Sequence, residues 1–151
     1  MTEQERVLLY AKCGIPLRKP HRPLPLLELQ EVGRCKQVLA NFSGKTIELE
    51  ATTVAGDAAA FAVKVIAADM APRFMPGTIL IATPKLNPRN RDFVLAYIHE
   101  YGRVLFRQYV IEDGEVELEI VDGAPDQETI QLSYQDRILA VVTETRFEFI
   151  K

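Results

Sequence analysis

Residues 103–121 spell a β-hairpin, and that hairpin limits what the whole chain can become. Arg103–Ile111 is rich in Val, Leu, Phe and Tyr, and Glu115-Val-Glu-Leu-Glu-Ile120 alternates strictly. Between them stands Glu112-Asp-Gly-Glu115, whose central Asp-Gly suits a tight turn between antiparallel strands. Strict alternation marks a strand with one wet face. The same grammar runs through the rest of the chain from Leu26 onward. Candidate strands are Leu26–Leu29, Thr46–Glu50, Ala60–Ile66, Thr78–Thr83, Asp92–His99, Thr129–Leu132 and Arg137–Thr145, with Phe147–Ile150 as an extension. These segments favour β-branched and aromatic residues and are separated by turn residues. A short helix fits Gly33–Leu39. The expectation is a mostly-β domain with a barrel-like or folded-sheet core.

Residues 1–25 read differently. Thr2-Glu-Gln-Glu5 has capping-box spacing, and Val7, Leu8 and Ala11 form an apolar stripe, so a short helix over residues 3–12 is expected, stopped by Gly14. Residues 16–25 hold four of the nine prolines, Pro16, Pro20, Pro23 and Pro25. This predicts an extended, polyproline-like arm rather than a packed element. The chain therefore divides into an N-terminal helix and arm over 1–25 and a β domain over 26–151. At 151 residues, 48% of them hydrophobic, one core is the natural outcome. A net charge of −3 argues against a chain that binds nucleic acid directly. No apolar run has the length of a membrane span, and the first residues do not form a signal peptide. Cys13 and Cys35 lack metal-ligand spacing, as do His21 and His99, so neither a metal nor another cofactor is implied. A reduced, cytoplasmic protein is the simplest reading.

The most suggestive stretch is Ile66-Ala-Ala-Asp-Met-Ala-Pro-Arg-Phe-Met-Pro-Gly-Thr-Ile-Leu-Ile81. A strand delivers the chain into a corner of small residues, followed by Met-x-Pro, a Pro76-Gly77 turn and a second apolar strand. This resembles the segment around the nucleophile in the S24 peptidase family, which includes LexA-type and phage-repressor self-cleaving proteins and UmuD. Arg89-Asn-Arg-Asp-Phe-Val94 resembles the next turn and strand of that family, with Arg91 where glycine is usual. Val104-Leu-Phe-Arg-Gln108 resembles the strand that carries the family's lysine, and Ile138-Leu-Ala-Val-Val142 its final strand. Leu27–Arg34 resembles the segment with the self-cleavage bond, which here falls at Val32-Gly33. The resemblance covers Leu26 to the C-terminus. It implies the LexA C-terminal type of folded β-sheet, a β-clip, behind a short N-terminal helix.

The family's chemistry, carried over, uses a serine whose proton passes to a buried, neutral lysine. The matching positions hold Asp69 and Arg107. An arginine stays protonated and cannot act as a base, and an aspartate is a poor nucleophile toward an amide. No catalytic residue is therefore assigned, and a pseudo-peptidase is expected. Opposite charges at two sites that the family fold brings together predict an ion pair between Asp69 and Arg107. The competing reading places Arg107 on an exposed edge strand and Asp69 in a turn. Gly33 likewise reads as an ordinary turn glycine in the absence of a working site. Pairing of Cys35 with His99, and paired-carboxylate chemistry at Asp57, Glu112, Asp113 or Asp122, have no supporting pattern. Met70 and Met75 read as packing residues.

Repressors of the S24 type join a helix-turn-helix to this β domain, which also dimerises them. Residues 1–25 are too few for such a reader, so either the sequence is a piece of a longer protein or the protein lacks one; the opening Met followed by a capping box favours the second. The resemblance thus implies a regulator acting by protein–protein binding, as a homodimer or as a heterodimer with a repressor-type transcription factor. The alternative it leaves is a UmuD-like accessory subunit of a DNA polymerase.

Overall fold

The computed structural model describes residues 21–34, 44, 46–50, 59–121 and 129–147. The expected helix over 3–12, arm residues 16–20, Cys13, Cys35, helix residues 35–39, Asp57, Asp122 and residues 148–150 lie outside them. Nine strands form one sheet among the described residues: β1 (His21–Leu27), β2 (Thr46–Glu50), β3 (Phe61–Lys64), β4 (Thr78–Thr83), β5 (Phe93–Ile98), β6 (Arg103–Glu112), β7 (Glu115–Glu119), β8 (Ile130–Gln131) and β9 (Arg137–Phe147). Their order is β2-β1-β3-β4-β9-β5-β6-β7-β8. The mostly-β expectation is met, and so is the hairpin. Asp113 and Gly114 both take positive φ, 52° and 78°, which is the backbone of a two-residue type I′ turn.

One expectation needs correction. The proline-rich segment does not stay free of the sheet, because β1 begins at His21 and ends at Leu27 rather than running from Leu26 to Leu29. Among the described residues, 21–25 pair on one side, with β2, and β3 joins on the other only at Leu26 and Leu27. Pro23 and Pro25 thus fall where one flank of the strand has no ladder to interrupt. Leu24 between them is buried beside Ala60 and Ile81. A 3-10 helix spans Leu29–Arg34 and overlaps the helix expected at Gly33–Leu39 in its first two residues; the rest of that expectation lies outside the described residues. Its start is fixed by Glu31, which accepts the Glu28 N–H through its side chain while donating its own N–H to the Glu28 carbonyl.

The sheet is buried on both faces at its centre. Phe61, Val63, Leu80, Leu95, Phe106 and Ala140 pack on one side, and Val94, Ala96, Ile98, Leu105, Leu118 and Val141 on the other. That explains why β4 and β5 read as continuous apolar runs rather than alternating ones. β9 pairs with β4 and β5, and its register shifts once against each, between Ile81 and Ala82 and between Leu95 and Ala96. Thr143 and Leu139 are the extra residues, and Thr143 Oγ1 donates to the Ile81 carbonyl at 3.3 Å. Bulges bend a strand and increase its twist. The curl is enough for β3 and β6, separated in the sheet by β4, β9 and β5, to line one cleft.

A third irregularity opens β5. Arg91 donates its N–H to Tyr109 O at 2.7 Å, and Tyr109 donates to Asp92 O at 2.7 Å, so two residues oppose one. Arg91 sits at φ 75°, the left-handed position that glycine fills in such a bulge. Relieving that strain is worth roughly 1–2 kcal/mol, and glycine's extra freedom in the unfolded chain takes back about 0.4–1 kcal/mol. Arg91→Gly is therefore expected to stabilise the protein by about 0.5–1 kcal/mol. A shift of the urea midpoint to higher concentration with an unchanged slope would register it. At the opposite end, His99 N–H and the Ser133 N–H and hydroxyl all donate to Asp136, tying the β5–β6 turn to the β8–β9 turn. Burial pushes the Asp136 carboxyl up, but these hydrogen bonds and the nearby His99 outweigh it and hold the group below the usual carboxylate range.

Candidate functional site

Asp69 is placed by the residues on either side of it. The loop that leaves β3 is closed at its base by Val65 N–H donating to Thr78 O and by Gly77 N–H donating to Val65 O, both at 2.8 Å. Gly77 takes φ 99°, as the Pro76-Gly77 turn requires. Inside the loop, Ala71 N–H donates to Ala68 O and Phe74 N–H to Met70 O, giving one helical turn. The Ala71–Pro72 peptide bond within it is cis. Met70 is fully buried and Phe74 nearly so. With Met70 anchored inward, its neighbour Asp69 is left at the surface of the turn, its side chain 42% exposed.

Phe74 fixes this turn to the sheet. Its ring meets Phe93 edge-on at 4.8 Å and Phe106 at 5.0 Å between centroids. Arg73 stacks over the same cluster, 5.2 Å above Phe93 and 5.9 Å above Phe74. Phe93 opens β5 and Phe106 lies in β6, so the turn that bears Asp69 is keyed to the strand that bears Arg107.

Arg107 lies opposite Val94 in the β5–β6 ladder and is only 5% exposed. Its Nη1 donates to Asp69 Oδ2 at 2.8 Å and to the Phe106 carbonyl at 2.8 Å. The structure thus brings together the two positions that the sequence singled out, and it excludes the reading with Arg107 exposed. A buried guanidinium needs such acceptors. In this pair Asp69 Oδ2 serves as a hydrogen-bond acceptor, and an arginine stays protonated. Met75, by contrast, is 47% exposed and is not a core residue.

Val32 and Gly33 take different places. Val32 is fully buried in the main core within the 3-10 helix, and Gly33 is exposed, where an added Cβ would meet Val104 only at 3.8 Å. Nothing steric demands glycine there, in keeping with an ordinary turn residue. A cleft of about 350 Å³ adjoins Asp69. Its walls are Leu29 and Gln30 from the 3-10 helix, Val63 and Val65 from β3 and the start of the loop, and Leu105 and Phe106 from β6. Lys64, Glu28 and the 77% exposed Ile66 stand at its margin. Sequence reasoning did not single out Gln30, Lys64 or Phe106. The apolar character of their segments was visible, but not that a curled sheet would bring them to one cleft.

His99 lies on the exposed β5–β6 turn, where its N–H donates to Asp136 and its carbonyl accepts the Gly102 N–H. Glu112, Glu117 and Glu119 bring carboxylate oxygens within 4.8 Å of one another on the outer face of β6 and β7. This follows from the Glu-Val-Glu-Leu-Glu alternation and its cross-strand register. No helix among the described residues is long and apolar enough to cross a membrane.

The family model described as peptidase S24-like matches residues 25–143 of the chain, a span that holds the corner, the Arg107 strand and most of the sheet. The chain belongs to the peptidase S24-like family. This S24-like chain is similar to an uncharacterized HTH-type transcriptional regulator of Coxiella burnetii, 26% identical over 83 residues. The aligned stretch is 54% of this chain but only 38% of that relative. The shared part is therefore well under half of the regulator.

Proposed function

We propose that this S24-like chain is a catalytically inactive regulator that acts in the cytoplasm by dimerising and by binding other proteins, in the service of transcriptional repression. The observation that carries the reading is the Asp69–Arg107 pair at 2.8 Å, at the positions that match the family's serine and lysine. A scaffold that keeps its corner, its glycine turn and its cleft but carries aspartate and arginine where the family has its nucleophile and base has lost hydrolysis and kept a shape. Kinship with an HTH-type regulator supports a role beside transcription factors. A repressor that carries the same domain is the natural heterodimer partner, because the two would share a self-complementary surface.

The test has two arms. Family chemistry runs through a deprotonated lysine and so speeds up as the pH rises, toward about pH 10. Purified protein held at that pH is expected to keep its intact mass, and a cut at Val32–Gly33 would overturn the assignment as inactive. Sedimentation equilibrium is expected to give a mass that rises to twice the 17.0 kDa of the chain as concentration increases. A mass fixed at the monomer value would overturn dimerisation.

A further inference from the structure

The phase of β6 decides where its backbone groups face. Tyr109 exchanges both of its hydrogen bonds with Arg91 and Asp92, on the β5 side. Antiparallel alternation then turns the polar groups of Leu105 and Arg107 toward β5, and those of Val104 and Phe106 to the opposite edge. β7 begins to pair with β6 only at Gln108, so no strand covers Val104 and Phe106 among the described residues. An edge of this kind is a template for an incoming strand. It also borders the Asp69 cleft, which Leu105 and Phe106 line.

Side chains already occupy most of this template. Gln30 Nε2 donates to the Val104 carbonyl at 3.0 Å, and Gln30 Oε1 accepts the Val104 N–H at 2.9 Å. A primary amide has one donor face and one acceptor face, so this single side chain reproduces what a paired residue of a neighbouring strand would do. Two residues along, Arg107 Nη1 donates to the Phe106 carbonyl with the same nitrogen that holds Asp69. A lysine at 107 would have to divide a more flexible ammonium between the two acceptors, whereas a planar guanidinium nitrogen is built to hold both. Of the four polar groups on this edge, the Phe106 N–H is the one with no cap among the described residues.

We infer that Gln30 and Arg107 cap the β6 edge, closing the Asp69 cleft to any extended peptide that would dock by strand addition. The cleft then accepts apolar side chains at most, and partner binding is directed to other surfaces. This does not depend on whether the chain dimerises.

The experiment uses amide hydrogen exchange together with the anisotropy of a fluorescein-labelled peptide alternating threonine and valine. In the wild type, Val104 N–H is expected to be protected and the peptide to show no saturable binding. Gln30 is exposed, so Gln30→Ala leaves the core intact. In that variant Val104 is expected to exchange about tenfold faster, in line with the loss of one hydrogen bond. The peptide should now bind saturably and protect the Phe106 N–H. Gln30→Glu keeps the acceptor and loses the donor, and should gain weaker binding. Wild-type protein that binds the peptide as well as Gln30→Ala does would overturn the inference. So would a Gln30→Ala variant that exchanges faster at Val104 yet gains no binding.

Discussion

Alanine at Phe74 is expected to destabilise the protein by about 3–5 kcal/mol, the cost of emptying a buried aromatic site. Phe74 contributes two edge-to-face contacts, with Phe93 and Phe106, and it is the residue that holds the Asp69 turn against the sheet. Leucine there keeps much of the volume but loses the ring edges, so Phe74→Leu should cost only about 1–2 kcal/mol. Urea unfolding separates the two variants. An alanine variant no less stable than the leucine one would mean that the ring packs far less tightly than its burial implies.

The second large effect lies in the ion pair, and it is asymmetric. Arg107 is buried while Asp69 is about half in water. Asp69→Ala strands a buried cation, which should cost about 2–3 kcal/mol, at the lower end of the range because water reaches one side of the pair. Arg107→Met leaves a carboxylate that solvent can hydrate and fills much of the same space, so it should cost only about 1 kcal/mol. The double variant should then resemble Arg107→Met alone, a non-additivity of about 2–3 kcal/mol. A double-mutant cycle in urea measures this directly. Strictly additive single changes would show that the pair carries no coupling.

The places where sequence reasoning succeeded and failed have physical causes. The hairpin at Asp113-Gly114 was legible because a type I′ turn demands residues that tolerate positive φ. Thr78–Thr83 was legible to the residue because its apolar run is bounded by Gly77 and Pro84. The Asp69–Arg107 contact was legible only through a resemblance, since no local pattern links a corner to a strand so far along the chain. β1 was placed five residues late because the prolines of 16–25 were read as a free extended arm, whereas an extended proline-bearing segment can still pair along one flank. Gln30 was invisible for a different reason. Its role depends on the absence of a neighbour at Val104, and a gap in a sheet leaves no mark on the residues around it.

The two extra residues in β9 give the chain an unusual sensitivity to length. Removing Thr143 or Leu139 would leave a regular ladder with every side chain on its proper face, because each is the unpaired member of its bulge. Removing Val141 or Ala140 instead would force a bulge residue, Thr143 or Leu139, into the ladder and put the residues between deletion and bulge on the wrong faces. Codon loss at the first pair would straighten the sheet and part the walls of the cleft without dismantling the core. Within this strand, the cleft can therefore be lost in one genetic step while the fold survives.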